Sequence, residues 1–273
     1  MLVFLQKKLN NMKTTNIPLN IENNCFDKEI YDKSGIFIIK NFIDKTKIKE
    51  LQNIWNDYYG ELIKNGGRKI DNTNFVNFKN ELPDKILNFW KSEYIKNISN
   101  LIYGNNVALY HSRVLIKDKN SENKVFLHQD YCYHLGFPNK SNLFIPLFDY
   151  NKTHGTLSFY PGTHQYGFLG DAGEIDKSKF YPWEKITPNI NAGDVVIMNS
   201  CLWHESEKNI SDIDRVMFDI IIQPSNDPSG SQLICGDWET NFWIGRKEDH
   251  TFQIDSLFIN SRIKKLKKYE NNK

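Results

Sequence analysis

From residue 107 onward the sequence breaks into short apolar, β-branched runs, at 107–116, 125–128, 143–150, 156–160, 195–199 and 215–223. Turn-forming residues separate them, among them Asn139-Lys140-Ser141, Pro161-Gly162 and Asn191-Ala192-Gly193-Asp194. Six such strands predict an antiparallel barrel or sandwich, and the double-sheet jelly roll, a double-stranded β-helix or cupin-like barrel, is the favoured architecture.

The segment ahead of the strands is of another kind. Residues 35–40 form one further buried strand, and Asp44 then caps a helix with apolar residues at Ile48, Leu51, Trp55, Tyr58, Leu62 and Ile63, stopped by Gly66-Gly67. A second helix follows Pro83, with Ile86, Leu87, Trp90, Tyr94, Ile98, Leu101 and Ile102 on its inner face and Gly104 at its end. Both are expected to pack outside a sheet, giving a mainly β fold with flanking helices. Residues 1–273 read as one domain, with 1–24 an extended N-terminal segment and 256–273 a basic C-terminal helix. The Lys264, Lys265, Lys267 and Lys268 cluster on that helix reads as a solvated face. The loop at 167–183 is placed to lie over the barrel mouth.

Lys and Arg number 35 against 33 Asp and Glu, a net charge of +2, so no charge excess points to nucleic acid or a membrane as partner. The first apolar stretch, starting at Met1, is too short for a secretory signal or a bilayer span, and Met12 is an alternative start. Cys25, Cys132, Cys201 and Cys235 form no Cys-x-x-Cys pair, so they read as free thiols of a reducing compartment. A cytoplasmic protein is the expectation.

Chemistry concentrates at two places. His128-Gln129-Asp130 ends one apolar run, and because neighbouring strand residues point to opposite sides, His128 and Asp130 share a face while Gln129 points away. His204 begins the second place, and Arg215, eleven residues later, opens the apolar strand 216–222. Two imidazoles and one carboxylate form the set that holds ferrous iron on one side and leaves the other open. A guanidinium buried at the head of an apolar strand needs an anion, and a carboxylate ligand supplies one.

These pieces resemble the phytanoyl-CoA dioxygenase family, including its ectoine hydroxylase branch. The likeness rests on His128-Gln129-Asp130, on 155–164 (Gly-Thr-Leu-Ser-Phe-Tyr-Pro-Gly-Thr-His) and on Gly193-Asp194-Val195-Val196. It is completed by His204-x-Ser206-x-x-Asn209-x-Ser211-x-x-x-Arg215, in that order over the central and C-terminal two thirds of the chain. Two positions depart from the family pattern: Glu205, where a small residue is common, and His154, where Asn is frequent.

The resemblance implies Fe(II) ligands at His128, Asp130 and His204, and 2-oxoglutarate held at its distal carboxylate by Arg215 and Ser206. It makes His111, on the strand 110–117, a further cosubstrate contact. It implies hydroxylation of an unactivated C–H bond with O2 as second cosubstrate and release of succinate and CO2. The carboxylate at Asp130 disfavours halogenation, since related halogenases lack one there. Tyr131, Tyr133, His134 and Trp203 are candidate substrate contacts, with core packing the competing role for the tryptophan. A small polar metabolite, such as an amino acid, a sugar derivative or a natural-product intermediate, is the expected substrate. The rival readings are a protein or peptide hydroxylase and a non-catalytic jelly-roll binding module.

Overall fold

Two aspartates start the helices ahead of the barrel. Asp27 Oδ1 accepts the N–H of Ile30 at 3.0 Å and Asp44 Oδ1 that of Lys47 at 2.9 Å, satisfying donors that a helix start leaves open. The computed structural model describes residues 21–65, 75–76, 82–119, 122–167 and 183–240. In chain order its elements are β1 (Glu22–Asn23), α1 (Lys28–Ser34), β2 (Ile36–Ile39), α2 (Lys45–Lys64), β3 (Phe75–Val76), α3 (Asp84–Phe89) and α4 (Glu93–Tyr103). They continue with β4 (Val107–Lys117), β5 (Val125–His128), β6 (Ser141–Pro146), β7 (Leu157–Phe159), β8 (Val195–Asn199), β9 (His204–Ser206), β10 (Arg215–Pro224) and β11 (Gln232–Cys235).

The strands make two sheets, as a jelly roll requires. The major sheet runs β1-β2-β8-β6-β10-β4-β11, with β3 also paired to β4, and the minor sheet runs β5-β9-β7. Alternation divides the side chains of the major sheet between two apolar clusters. Phe37, Ile39, Val114, Ile116, Leu143, Ile145, Val216 and Phe218 pack against Leu51 and Trp55 of α2 and Ile98 of α4, so the helices cover the outer face. Ile36, Ile38, Leu115, Phe144, Val196, Met198 and Met217 pack against Leu157 and Phe159 of the minor sheet, which makes the barrel interior. The expected mainly β architecture with flanking helices is the one observed.

Details differ from the sequence reading. The helix after Pro83 is two helices, interrupted at residues 90–92, where Lys91 N–H returns to Asn88 O and Ser92 N–H to Phe89 O. The apolar period runs through the break, so the pattern alone does not reveal it. Leu101 is 49% exposed and Ile63 53% exposed, so both lie off the buried stripes assigned to them. The short β1, β3, β9 and β11 carry too few residues to show a period. The 143–150 run begins earlier, at Ser141, and its strand stops at Pro146. Gly66-Gly67, most of the 167–183 loop, the extreme N-terminus and the basic C-terminal helix lie outside the described residues. No described helix is long and apolar enough to cross a membrane.

Gly155, just ahead of β7, lies against the backbone that leaves β9. It has φ +61°, a left-handed conformation, and a Cβ there would stand 2.4 Å from the backbone O of Glu207 and 2.7 Å from that of Lys208. Backbone on both sides leaves nothing free to give way. Gly155→Ala is expected to lower unfolding stability by about 2 kcal/mol or more, measured by chemical denaturation.

Candidate metal centre and anion pocket

β5 and β9 pair antiparallel with His128 opposite His204, which sets two imidazoles side by side with ring centroids 4.2 Å apart. His128 Nδ1 lies 2.7 Å from Phe126 O and His204 Nδ1 lies 3.0 Å from Leu202 O. A carbonyl only accepts, so each Nδ1 carries the hydrogen and each Nε2 presents a lone pair. Those lone pairs converge with a carboxylate: Asp130 Oδ1 is 3.2 Å from His128 Nε2 and 3.6 Å from His204 Nε2. One ligand atom from each of the three residues lies within 4.8 Å of the others, the spacing of a shared ion.

The shared face of His128 and Asp130 arises differently from the expectation of one continuous strand. β5 stops at His128, Gln129 alone remains extended (φ −115°, ψ 131°), and Asp130 already opens a 3-10 turn, Asp130–Tyr133. One extended residue is enough to carry the alternation. Gln129 points away, as expected, donating to Gly167 O at 2.8 Å and Cys201 O at 2.5 Å.

Burial alone would raise the Asp130 carboxyl, but His204 and His128 together outweigh it and hold it below the ordinary carboxylate range. Burial, helped by His128, pushes His204 down to about 4, so it is neutral near pH 7. A neutral imidazole and an ionised carboxylate are the states a metal takes as ligands.

A second polar pocket lies along the barrel interior. Arg215 and Lys117 are direct cross-strand partners in the β10–β4 pair, and both are buried. Lys117 Nζ donates to Ser206 Oγ at 2.7 Å and to Glu207 O at 2.5 Å, while Arg215 Nη1 donates to Gly155 O. Neither cation has an ion-pair partner among the described residues. Arg215 Nε and the buried Thr156 Oγ1 have no hydrogen-bond partner among them either. Burial, then the neighbouring Arg215, pushes Lys117 down to about 7, and burial lowers Arg215 to about 10. Two desolvated cations and a spare N–H are the features of a site for an anion.

Between the pocket and the metal centre the interior is apolar, lined by Leu115, Met217 and Phe144. His111 stands on β4 six residues from Lys117, about 20 Å along the strand at 3.3 Å per residue. It is therefore placed away from the two cations and beside Arg113 and His134, whose charges act on it. Burial first, with Arg113 next, lowers His111 to about 3, and burial likewise lowers His134 to about 3. Tyr133 has its ring 6.2 Å from that of His128, Tyr131 donates its hydroxyl to Gly136 O at 3.1 Å, and the buried His134 ring lies 4.9 Å from Tyr110. Trp203 is completely buried.

Five residues escaped the sequence reading as site residues: Lys117, Thr156, Asn142, Asp219 and Arg113. Lys117 ends an apolar strand as Arg215 opens one, and that shared anomaly was the available signal. Asp219 interrupts an apolar run in the same way. Thr156 and Asn142 carry no signal without the fold.

Comparison with known proteins places this geometry. A "Phytanoyl-CoA dioxygenase 1" from Oryza sativa subsp. japonica is 27% identical over 149 residues, 51% of this chain and 50% of that protein, so the chain spans about half the length of that relative. The non-heme monooxygenase ThoJ in its apo form superposes with a TM-score of 0.65 at 17% identity, over 90% of this chain and 97% of its own. The epimerase SnoN, solved with Fe3+, alpha ketoglutarate and nogalamycin RO, superposes with a TM-score of 0.59 at 13% identity, over 80% of this chain and 94% of its own. Identities this low establish the fold they share. The phytanoyl-CoA dioxygenase (PhyH) family pattern itself matches residues 31–217, which contain the paired histidines, Asp130 and both cations, and by that match the chain belongs to the phytanoyl-CoA dioxygenase family.

Proposed function

We propose that this chain is an Fe(II)- and 2-oxoglutarate-dependent dioxygenase that hydroxylates an unactivated C–H bond of a small polar metabolite. The order of its motifs is the feature that supports placing it in the ectoine hydroxylase-like branch of the family. The observation that carries the reading is the convergence of His128 Nε2, His204 Nε2 and Asp130 Oδ1 at one end of a barrel interior whose other end holds Arg215 and Lys117. The donor set fits ferrous iron, which two imidazoles and one carboxylate would hold on one side while leaving the other open. That SnoN was solved with iron and alpha ketoglutarate in the same fold supports the extension to this chain.

His128 and His204 hold the metal, with Nδ1–H bonds to Phe126 O and Leu202 O fixing their tautomers. Arg215, Lys117 and Ser206 would hold the distal carboxylate of 2-oxoglutarate, and Leu115, Met217 and Phe144 form the apolar wall between them and the metal end. That wall excludes water from the reacting end. His111 and Arg113 stand toward the metal end, and with Tyr131, Tyr133 and His134 they make the substrate side polar. Iron with 2-oxoglutarate and O2 supplies the oxidant for hydroxylation, with succinate and CO2 as co-products. The protein's share is to hold cosubstrate and substrate in register.

Three measurements test this reading. Asp130→Ala should abolish iron-dependent succinate formation while keeping the wild-type far-UV circular dichroism; wild-type turnover would remove Asp130 from the ligands. Arg215→Leu should raise the 2-oxoglutarate KM by about 30-fold or more, roughly 2 kcal/mol, with Co(II) affinity little changed, and an unaltered KM would dismiss the clamp. Lys117 binds the anion in its protonated form, which is lost as pH rises through about 7. Affinity for 2-oxoglutarate is therefore expected to fall above that pH, by at most about tenfold per unit. Lys117→Met should bind more weakly and lose this pH dependence.

A further inference from the structure

The ligand carboxylate of Asp130 is held from behind by a buried polar chain that the family resemblance does not assign. Asn142 of β6 donates its Nδ2 to Asp130 Oδ2 at 2.8 Å and to Asp219 Oδ1 at 3.2 Å. Asp219 of β10 in turn accepts Arg113 Nε of β4 at 2.7 Å on its Oδ2. Asn142 and Asp219 are completely buried, and the Arg113 side chain is mostly so, at 18% exposure. Three adjacent strands of the major sheet, β6, β10 and β4, thus each contribute one polar residue to this chain.

The chemistry of the amide sets its direction. The two hydrogens on Nδ2 serve two carboxylates, whereas a flipped amide would turn its oxygen against both. Asp219 anchors Asn142, and Arg113 neutralises Asp219, so the charge behind the donor is balanced. The two oxygens of Asp130 are consequently unequal. Oδ1 is the oxygen paired with both histidine Nε2 atoms, at 3.2 and 3.6 Å, and Oδ2 accepts from Asn142.

We infer that Asn142, anchored by the Asp219–Arg113 pair, is a positioning residue that keeps Asp130 a one-oxygen ligand. The inference rests on the assignment of His128, Asp130 and His204 as metal ligands. If Oδ2 were free, the carboxylate could swing to bind through both oxygens and close one of the three positions that a bidentate cosubstrate and oxygen require. An ion pair that merely tied β4 to β10 would need no donor reaching across to Asp130. Partners behind metal ligands are worth tenfold to a hundredfold in metal affinity.

The test uses Co(II) alone as the probe, on the full chain, with calorimetric titration, the visible ligand-field spectrum and the melting temperature of the metal-free protein. Wild type should bind one Co(II), and failure to do so would remove the metal-site reading itself. Asn142→Leu, and separately Asn142→Ser, which is too short to reach Asp130, should weaken Co(II) by about 10- to 100-fold and change the ligand-field band intensity. The metal-free melting temperature should stay near that of wild type. Wild-type affinity and spectrum in a folded variant would overturn the inference. Failure of both variants to fold would also overturn it, by making Asn142 part of the scaffold.

Discussion

The site depends on one register, the antiparallel pairing that puts His128 of β5 opposite His204 of β9. Residues directly opposed in such a pair hold their side chains a few ångströms apart on one face without further guidance. The sheet supplies the second element of order too, because each imidazole is tied by Nδ1 to a carbonyl of its own strand segment. A slip of one residue would turn one histidine to the opposite face and separate the rings. β7 flanks β9 on its other side, with Phe159 paired to His204, so the register is fixed from both edges.

Charge is distributed along the barrel in layers. Arg215 and Lys117 occupy one end, Leu115 and Met217 the middle, and Asp219, Arg113 and Asn142 the end beside Asp130. Arg215 and Asp219 are four residues apart on β10, about 13 Å along the strand. On the proposed function, excess positive charge at one end and an ionised carboxylate at the other would suit a molecule with an anionic head at each end, one met by Arg215 and Lys117 and the other by a metal ion between the carboxylate and the imidazoles. The apolar middle makes both electrostatic interactions stronger than they would be in water.

What could be read from the sequence follows from the range of each physical signal. Alternation and turn residues extend over five or more positions, so β4, β6, β8 and β10 were legible, and a buried Arg at the head of an apolar strand advertised its need for an anion. His128 and Asp130 were legible through local alternation even though the strand ends between them. The pairings were not legible, because Lys117 opposite Arg215 and Asn142 beside Asp130 are set by contacts between residues distant in the chain. Asn142 in particular sits in Ser-Asn-Leu-Phe-Ile, where nothing local distinguishes an amide that reaches Asp130 from an ordinary strand residue. The break between α3 and α4 was hidden for the opposite reason, since the apolar spacing continued unchanged through it.

The turn that carries Asp130, Tyr131, Tyr133 and His134 has its own restraint, which explains why a short irregular segment can hold Asp130 in place. Lys140, completely buried, pairs with Asp227 and donates to Gln223 Oε1 at 2.7 Å and to Ser229 Oγ at 3.1 Å, with its ammonium 4.9 Å from the Tyr110 ring centre. Asp227 also accepts the N–H of Phe137 at 2.8 Å, and Tyr110 Oη accepts that of Leu135 at 3.0 Å. A buried ion pair adds little net stability because desolvation offsets the attraction, but removing one partner is costly. Such a pair therefore serves better as a locator than as a glue. Here it locates residues 135–140 against the end of β10, and so fixes the far side of the turn that begins at Asp130. The Asp130 end of the barrel is held from two directions, by Asn142 on the carboxylate and by Lys140 beyond the turn.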